Sequence, residues 1–189
     1  TSPGVAIWGS MSGVAMLQLK RAEAVMEIRA VELDLSRLLR CKDRDEEVSR
    51  VVRAVAESVK SGKDSIVASA SSKEAVDEAL TCGRESGLSA AEVGMEIAST
   101  LGEISARVAG ERISGLILTG GAVAVRCLES MGVKAVKLIE EVSSGIPLGE
   151  AVGGRFEGLK IITKAGGFGD EDALVVCFEH VKRRWKGEK

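Results

Sequence analysis

The sequence predicts an α/β protein: a Rossmann-like, mostly parallel sheet with helices on both faces. Three observations carry that prediction. Short apolar runs such as Gly4–Trp8, Ser65–Ser69 and Ile113–Leu118 alternate along almost the whole chain with stretches of helical periodicity. Several runs end in glycine or serine and open at once into a helix, the strand–turn–helix unit of a parallel sheet. The chain of 189 residues is long enough for one full core, and no internal repeat or linker-like tract divides it.

The elements follow in order. Gly4–Trp8 is a strand closed by Gly9-Ser10-Met11-Ser12-Gly13, after which Val14, Leu17 and Arg21 have helical spacing. Ser10 or Ser12 either caps that helix or binds a phosphate. Glu27–Leu33 reads as a strand. Asp43–Lys60 is the clearest helix, with Val48, Val51, Val52, Val55 and Val59 on one stripe and Gly62 after its end. Asp43, Asp45, Glu46 and Glu47 crowd its positive N-terminus and read as solvated surface rather than a metal site. Ser65–Ser69 is a core strand, and Ser71 to Glu74 reads as a capping box opening a helix with Ala75, Val76, Ala79 and Leu80 inward. Ser89 and Glu92 form a second box before a helix with Val93, Ile97, Leu101, Ile104 and Val108 on one face. The run 113–118 leads through Thr119-Gly120-Gly121 into a helix with Ala124, Cys127, Leu128 and Met131 together. Val133–Ile139 is a further strand, Ser143–Gly149 reads as turn chemistry and Ala151–Phe156 as glycine-rich. Leu159–Thr163 is a strand running into Lys164-Ala165-Gly166-Gly167-Phe168-Gly169, and Asp170 caps a last helix striped by Leu174, Phe178, Val181 and Trp185.

Composition removes several function classes. Aromatics are 3% of the chain and tyrosine is absent, so nucleic-acid recognition by aromatic stacking is disfavoured, and a net charge of −2 argues against a nucleic-acid surface. Cys41, Cys82, Cys127 and Cys177 form no C-x-x-C pair and read as small buried hydrophobes or reduced thiols. His180 stands alone, against zinc motifs and histidine acid–base chemistry. No apolar run reaches membrane-spanning length and no signal peptide precedes the first strand, so the expectation is a cytoplasmic protein away from membranes. A chain that begins Thr1-Ser2-Pro3 reads as a piece of a longer protein.

Three glycine or serine turns follow strands: residues 9–13, 119–121 and 164–169. Each leaves backbone N–H groups open, two of them open directly into a helix N-terminus, and glycine lets an anion approach the main chain. Tight turns are the plainer reading of each turn singly, and Lys164 is either a point charge for a polyphosphate or a surface lysine. In a parallel sheet all three emerge on one edge, which favours anion binding at that edge. No G-x-x-x-x-G-K-S/T is present, so this is not a P-loop, and no G-x-G-x-x-G with a downstream acid supports a nicotinamide site.

Gly9-Ser10-Met11-Ser12 with Gln18, Leu118-Thr119-Gly120-Gly121, Ser144-Gly145-Ile146-Pro147-Leu148-Gly149, and Ile162-Thr163 followed by K-A-G-G-F-G occur in this order. Together they resemble the C-terminal nucleotide-binding domain of the four-carbon acid sugar (tetronate) kinases, over nearly the whole chain. The resemblance implies that residues 1–189 are a single nucleotide-binding domain, the C-terminal part of a two-domain protein. It also implies ATP with Mg²⁺, and an acid-sugar substrate held by an N-terminal domain; it leaves a homo-oligomer open. The candidate site comprises Ser10, Ser12, Thr119, Gly120, Gly121, Ala122, Val123, Lys164, Gly166, Gly167 and Gly169. Where the family carries an acidic or similar polar residue and then threonine after the paired glycines, this chain has Ala122-Val123. The implied activity is γ-phosphoryl transfer from ATP to a tetronate hydroxyl; the alternative is a divergent non-enzymatic domain binding another phosphorylated metabolite or an effector. At residue level, Lys164→Ala is expected to weaken nucleotide binding at an almost unchanged melting temperature. Gly121→Val is expected to damage turn and site together through a positive φ.

Overall fold

The computed structural model describes residues 2–9, 12–39, 43–70 and 72–183. Seven strands among these residues form one sheet: β1 (Gly4–Trp8), β2 (Ile28–Glu32), β3 (Asp64–Ala68), β4 (Gly115–Thr119), β5 (Ala135–Ser143), β6 (Ile146–Val152) and β7 (Lys160–Lys164), in the order β2-β3-β1-β4-β7-β6-β5. The first five positions in that order are parallel, and β6 runs antiparallel to both β5 and β7. The α/β, mostly parallel fold read from the sequence is the fold observed. β1, β3 and β4 are buried at every residue, which their unbroken apolar runs require of strands covered on both faces.

The helices are α1 (Gly13–Val25), α2 (Leu35–Leu39), α3 (Arg44–Lys60), α4 (Lys73–Glu85), α5 (Ala90–Val108), α6 (Gly121–Ser130) and α7 (Ala173–Lys182). Helices α1 and α7 cover one face, where Ala15, Leu19, Leu174 and Phe178 pack on Ala6, Trp8, Ile117 and Ile162. The other helices cover the opposite face around Ile7, Val67, Leu118, Leu101 and Ile104. The connection leaving β1 therefore lies on one face and the connection leaving β4 on the other, although the two strands are neighbours. Such a switch opens a crevice between their carboxyl ends.

Several local expectations change. The stretch 143–149 is not a turn throughout: the chain turns at Ser144-Gly145 and Ile146–Val152 is strand β6, held by β5 on one side and β7 on the other. Helix α1 turns Ala15, Gln18, Leu19 and Ala22 to the sheet and leaves Val14 and Leu17 exposed. Helix α4 starts one residue later than a box from Ser71 needs; Ser72 is its N-cap and accepts the Ala75 N–H at 3.2 Å, while Ser71 lies outside the described residues. The Ser89/Glu92 box forms as read. Asp170 does not cap α7 directly: the N-cap is Asp172, whose N–H donates to the Asp170 carboxylate. Trp185 also lies outside the described residues.

Glu47 departs furthest from its expected role. It is fully buried, accepting the Asp34 N–H at 2.8 Å and a two-pronged contact from the Arg50 guanidinium at 2.6 and 2.8 Å. Burial alone would raise its pKa; the hydrogen bonds from Arg50 and the Asp34 backbone, with the Arg50 charge, outweigh that and hold it below its ordinary value of 4.5. A depressed folded-state pKa means that the stability Glu47 contributes is complete above that value and is lost as the pH falls below it. Glu47→Gln should lower stability at pH 7 by about 2 kcal/mol. Urea unfolding from pH 3 to 7 should also show a shallower acid decline in the variant than in the wild type.

Candidate functional site

The parallel ladder extends one residue beyond the strands at their carboxyl ends. Leu33 N–H donates to Ala68 O at 2.9 Å, Ser69 N–H to Trp8 O at 2.9 Å, Gly9 N–H to Thr119 O at 3.0 Å and Gly120 N–H to Lys164 O at 3.0 Å. The exits of β1, β4 and β7 are thereby pinned side by side, and the three turns of the sequence gather on one rim.

Ser12 caps α1 by accepting the Ala15 N–H at 3.2 Å and donates its hydroxyl to Gly166 O at 3.0 Å. Gln18, buried on α1, points its amide nitrogen at the carbonyls of Phe168, Gly169 and Asp170, at 3.0, 3.2 and 2.7 Å. The first and third turns are thus stitched together by side chains of α1. The Phe168 ring lies against Gly145, where an added Cβ would stand 2.6 Å from it, so the loop also rests on the turn between β5 and β6. Ser10 lies outside the described residues.

The middle turn has its own geometry. Gly120 is the N-cap of α6 at φ +99°, with no side-chain cap, and the first N–H groups of α6 at Gly121, Ala122 and Val123 have no partner within a helix. The strained position is Gly120, not Gly121: Gly121 has no positive φ, and a Cβ there would meet nothing within 4 Å. Gly121→Val is therefore no longer expected to break the turn. Ala122 is exposed on the rim, whereas Val123 is buried against Gly9; an added Cβ on Gly9 would stand 2.3 Å from Val123 Cγ2. Position 123 serves packing in this chain, and Ala122 alone marks where the polar side chain is missing from the rim.

Lys164 is not a surface lysine. Only 2% exposed, it lies over the Trp8 ring at 5.6 Å from its centroid and donates to Ala165 O at 3.1 Å and Gly166 O at 3.3 Å. Burial lowers its pKa from the ordinary lysine value, and burial raises the Cys177 thiol to about 12. Register places Trp8, Thr119 and Lys164 in one row across β1, β4 and β7. Trp8 Nε1, Thr119 Oγ1 and Gln18 Oε1 are buried without a hydrogen-bond partner among the described residues. Trp8 is not among the residues expected in the site, because nothing local marks an indole at a strand end as part of it; Gln18 belongs to the first motif of the resemblance but not to the expected site, and its three carbonyl contacts show why it accompanies that motif.

This donor set fits an anion. Open N–H groups at the α6 N-terminus and a lysine bent into the glycine loop favour a phosphoryl group. No group of three His, Cys, Asp or Glu side chains able to hold a metal ion occurs among the described residues.

Gly9→Ala should push Val123 and the first turn of α6 outward, with a loss of about 1–3 kcal/mol. Adding Val123→Ala should restore part of that loss, and urea unfolding of the double-mutant cycle measures the coupling.

Comparison with known proteins identifies the family and the fold. The family model described as a nucleotide-binding C-terminal domain matches residues 5–174. A D-threonate kinase of Salmonella typhimurium is 27% identical over 98% of this chain and 44% of its own length. A D-threonate kinase of Bordetella bronchiseptica is 39% identical over 54% of this chain and 24% of its own. A D-erythronate kinase of Heliobacterium modesticaldum is 26% identical over 95% and 42%. The chain spans less than half the length of these relatives. Among solved structures, a Bordetella bronchiseptica domain of unknown function, with bound citrate and described as a domain-swapped dimer, superposes with a TM-score of 0.72 at 25% identity, over 98% of this chain and 43% of that one. A Haemophilus influenzae protein shares the fold, with a TM-score of 0.76 at 17% identity over 96% of this chain and 40% of that one. No helix among the described residues is long and apolar enough to cross a membrane. With that family match over most of its length, the chain belongs to the nucleotide-binding C-terminal domain family, and the relatives it resembles over nearly its whole length are a D-threonate kinase and a D-erythronate kinase.

Proposed function

We propose that this domain binds ATP, with Mg²⁺ carried on the phosphates, and that it serves a four-carbon acid sugar kinase. The observation that carries the reading is the stitched rim: three turns from adjacent strands, held together by Ser12, Gln18 and the carboxyl-end ladder. The N–H groups of Gly121, Ala122 and Val123 bind phosphate oxygens, with Thr119 and Gly120 forming the turn beneath them. Residues Gly166, Gly167 and Gly169 close over the other side. Lys164 acts mainly as a positioning residue: it holds the carbonyls of Ala165 and Gly166 inward, which presents the loop's outer side to the ligand, and it adds positive potential under the phosphates. In the complete reaction the bond from Pγ to the ADP oxygen breaks and a bond from Pγ to a tetronate hydroxyl oxygen forms, the hydroxyl proton leaving to a base. Both the acid sugar and that base belong to a separate N-terminal domain in this reading. What this chain supplies is orientation and charge balance for the donor.

Ala122 supports a second reading, a non-enzymatic domain for another phosphorylated metabolite or effector, because backbone donors recognise any phosphate while the usual polar side chain is gone. Calorimetry separates the two. Mg·ADP should bind with measurable heat and raise the melting temperature; no heat and no shift at millimolar nucleotide, with stabilisation by a sugar phosphate, would favour the second reading.

Lys164→Met keeps the apolar stem on Trp8 and removes a buried charge, so its melting temperature should match or exceed that of the wild type. Its Mg·ADP affinity should fall about tenfold, the size of one charge-assisted contact or its loop-positioning equivalent. Lys164→Ala should instead lose stability as well, since it leaves a cavity beside Trp8. Unchanged affinity in Lys164→Met would remove Lys164 from the site.

A further inference from the structure

The amino end of the sheet carries a hollow of its own. An open cavity of about 870 Å³ lies where the chain runs into β1, β4 and β7 and where α3 and α7 end. A five-residue strand spans about 16 Å, which separates this hollow from the three-turn rim at the other end. Its lining runs against the composition of the chain. The whole sequence has 26 lysines and arginines against 28 aspartates and glutamates. The cavity brings together Lys60, Arg112, Lys160 and Lys182, and Glu111 is the one carboxylate among the described lining residues.

Two of these cations are built into the walls. Lys160, 7% exposed, donates to Arg183 O at 2.7 Å. Lys182 donates to Asp64 Oδ2 at 2.6 Å, while Asp64 Oδ1 accepts the Gly4 N–H at 2.8 Å. Ser114 N–H donates to Pro3 O at 2.8 Å, and its hydroxyl to Ser2 O. These bonds tie the cavity to the first residues of β1, β3 and β7, so the sheet fixes its shape. Lys60 and Arg112 are different: both are exposed and make no ion pair among the described residues. The carbonyl end of α3 accounts for a cation at Lys60, but Arg112 lies between α5 and β4 and ends no helix. Val59, Ile113 and Leu159 add apolar surface among the charges.

We infer that this cavity is a second binding site, for a small organic anion carrying two negative charges on a short carbon stem. The planar guanidinium of Arg112 takes a carboxylate or phosphoryl group through two parallel hydrogen bonds, and Lys60 balances the second charge. Lys160 and Lys182 raise the potential from the walls, and the apolar patches receive the stem. The site shares no residue with the rim and does not depend on the nucleotide reading. A ligand there touches the amino ends of β1, β4 and β7 together with α3 and α7, which exist in that arrangement only in the folded chain, so its binding raises the melting temperature.

Succinate and glycerol 3-phosphate carry this chemistry with two different head groups, and acetate is the singly charged control. Calorimetry and thermal shift at constant ionic strength compare them on wild type, Arg112→Glu and Lys164→Met. The expected result is that at least one dianion binds wild type more tightly than acetate. Its affinity falls at least about tenfold in Arg112→Glu, the size of one charge-assisted contact, and is unchanged in Lys164→Met. Binding of one dianion alone supports the site and identifies its head group. Wild type that binds neither dianion at millimolar concentration overturns the site. So does equal affinity in wild type and Arg112→Glu, and so does a loss confined to Lys164→Met, which assigns the anion to the rim. Lys60→Gln covers the case in which Arg112→Glu does not fold: it should weaken the same dianion severalfold, and full affinity there counts against the site. Mg·ADP tested alongside reports on the rim alone, so the failure of either site leaves the other standing.

Discussion

Everything at the functional end of this domain depends on four backbone hydrogen bonds made just past the ends of the strands. Leu33 to Ala68, Ser69 to Trp8, Gly9 to Thr119 and Gly120 to Lys164 carry the parallel ladder one step beyond its last regular pairs. Each places the first residue of a turn against the last residue of the neighbouring strand. Because the register of a parallel sheet is set by its buried faces, these exits cannot slip without moving whole strands of core residues to the wrong side. The rim therefore inherits the rigidity of the core although its own residues are small and partly exposed.

On that fixed base, side chains complete the assembly in a few strokes. Gln18 gathers three consecutive carbonyls of the last loop, and Ser12 adds a fourth point at Gly166. Lys164 turns back under its own loop toward the same carbonyls. Carbonyl oxygens engaged by these donors do not face an incoming ligand with free lone pairs, which removes a repulsion an anion would otherwise meet. The cost is a lysine held in the interior, offset by two carbonyl acceptors and the face of Trp8. The close packing of Gly9 on Val123 does the corresponding job on the other face, seating the uncapped start of α6 beside the exit of β1.

The strand–turn–helix units were legible because their signals are local: unbroken apolar runs, glycine at the exit and a change to helical spacing within a few residues. The convergence of the three turns was legible too, since parallel strands fix which end their turns occupy. What escaped the sequence was set by partners far along the chain. Strand β6 carries Pro147 and Gly149, which locally spell a turn; it is a strand because β5 and β7 pair with it, with Pro147 lying outside the β7 ladder. Glu47 sits in an acidic cluster that reads as solvated, and only the Asp34 N–H and Arg50 make it a buried anchor. Lys164 reads equally well as surface or site, and only its neighbour Trp8 across the sheet decides for burial. The positive φ belongs to Gly120 rather than Gly121, a distinction that a pair of adjacent glycines hides.

The two faces of the sheet divide the chemistry of the rim between them. The face under α1 and α7 carries the row of Trp8, Thr119 and Lys164, with polar atoms buried and charge held close to the loops. The face under α4, α5 and α6 is aliphatic up to its edge, and its cavity opens beside Gly9 and Ala122. The seam between these two environments is the β1–β4 boundary, where the connections leave on opposite sides of the sheet. The topology that opens the crevice thus also separates the polar half of the rim from its aliphatic half.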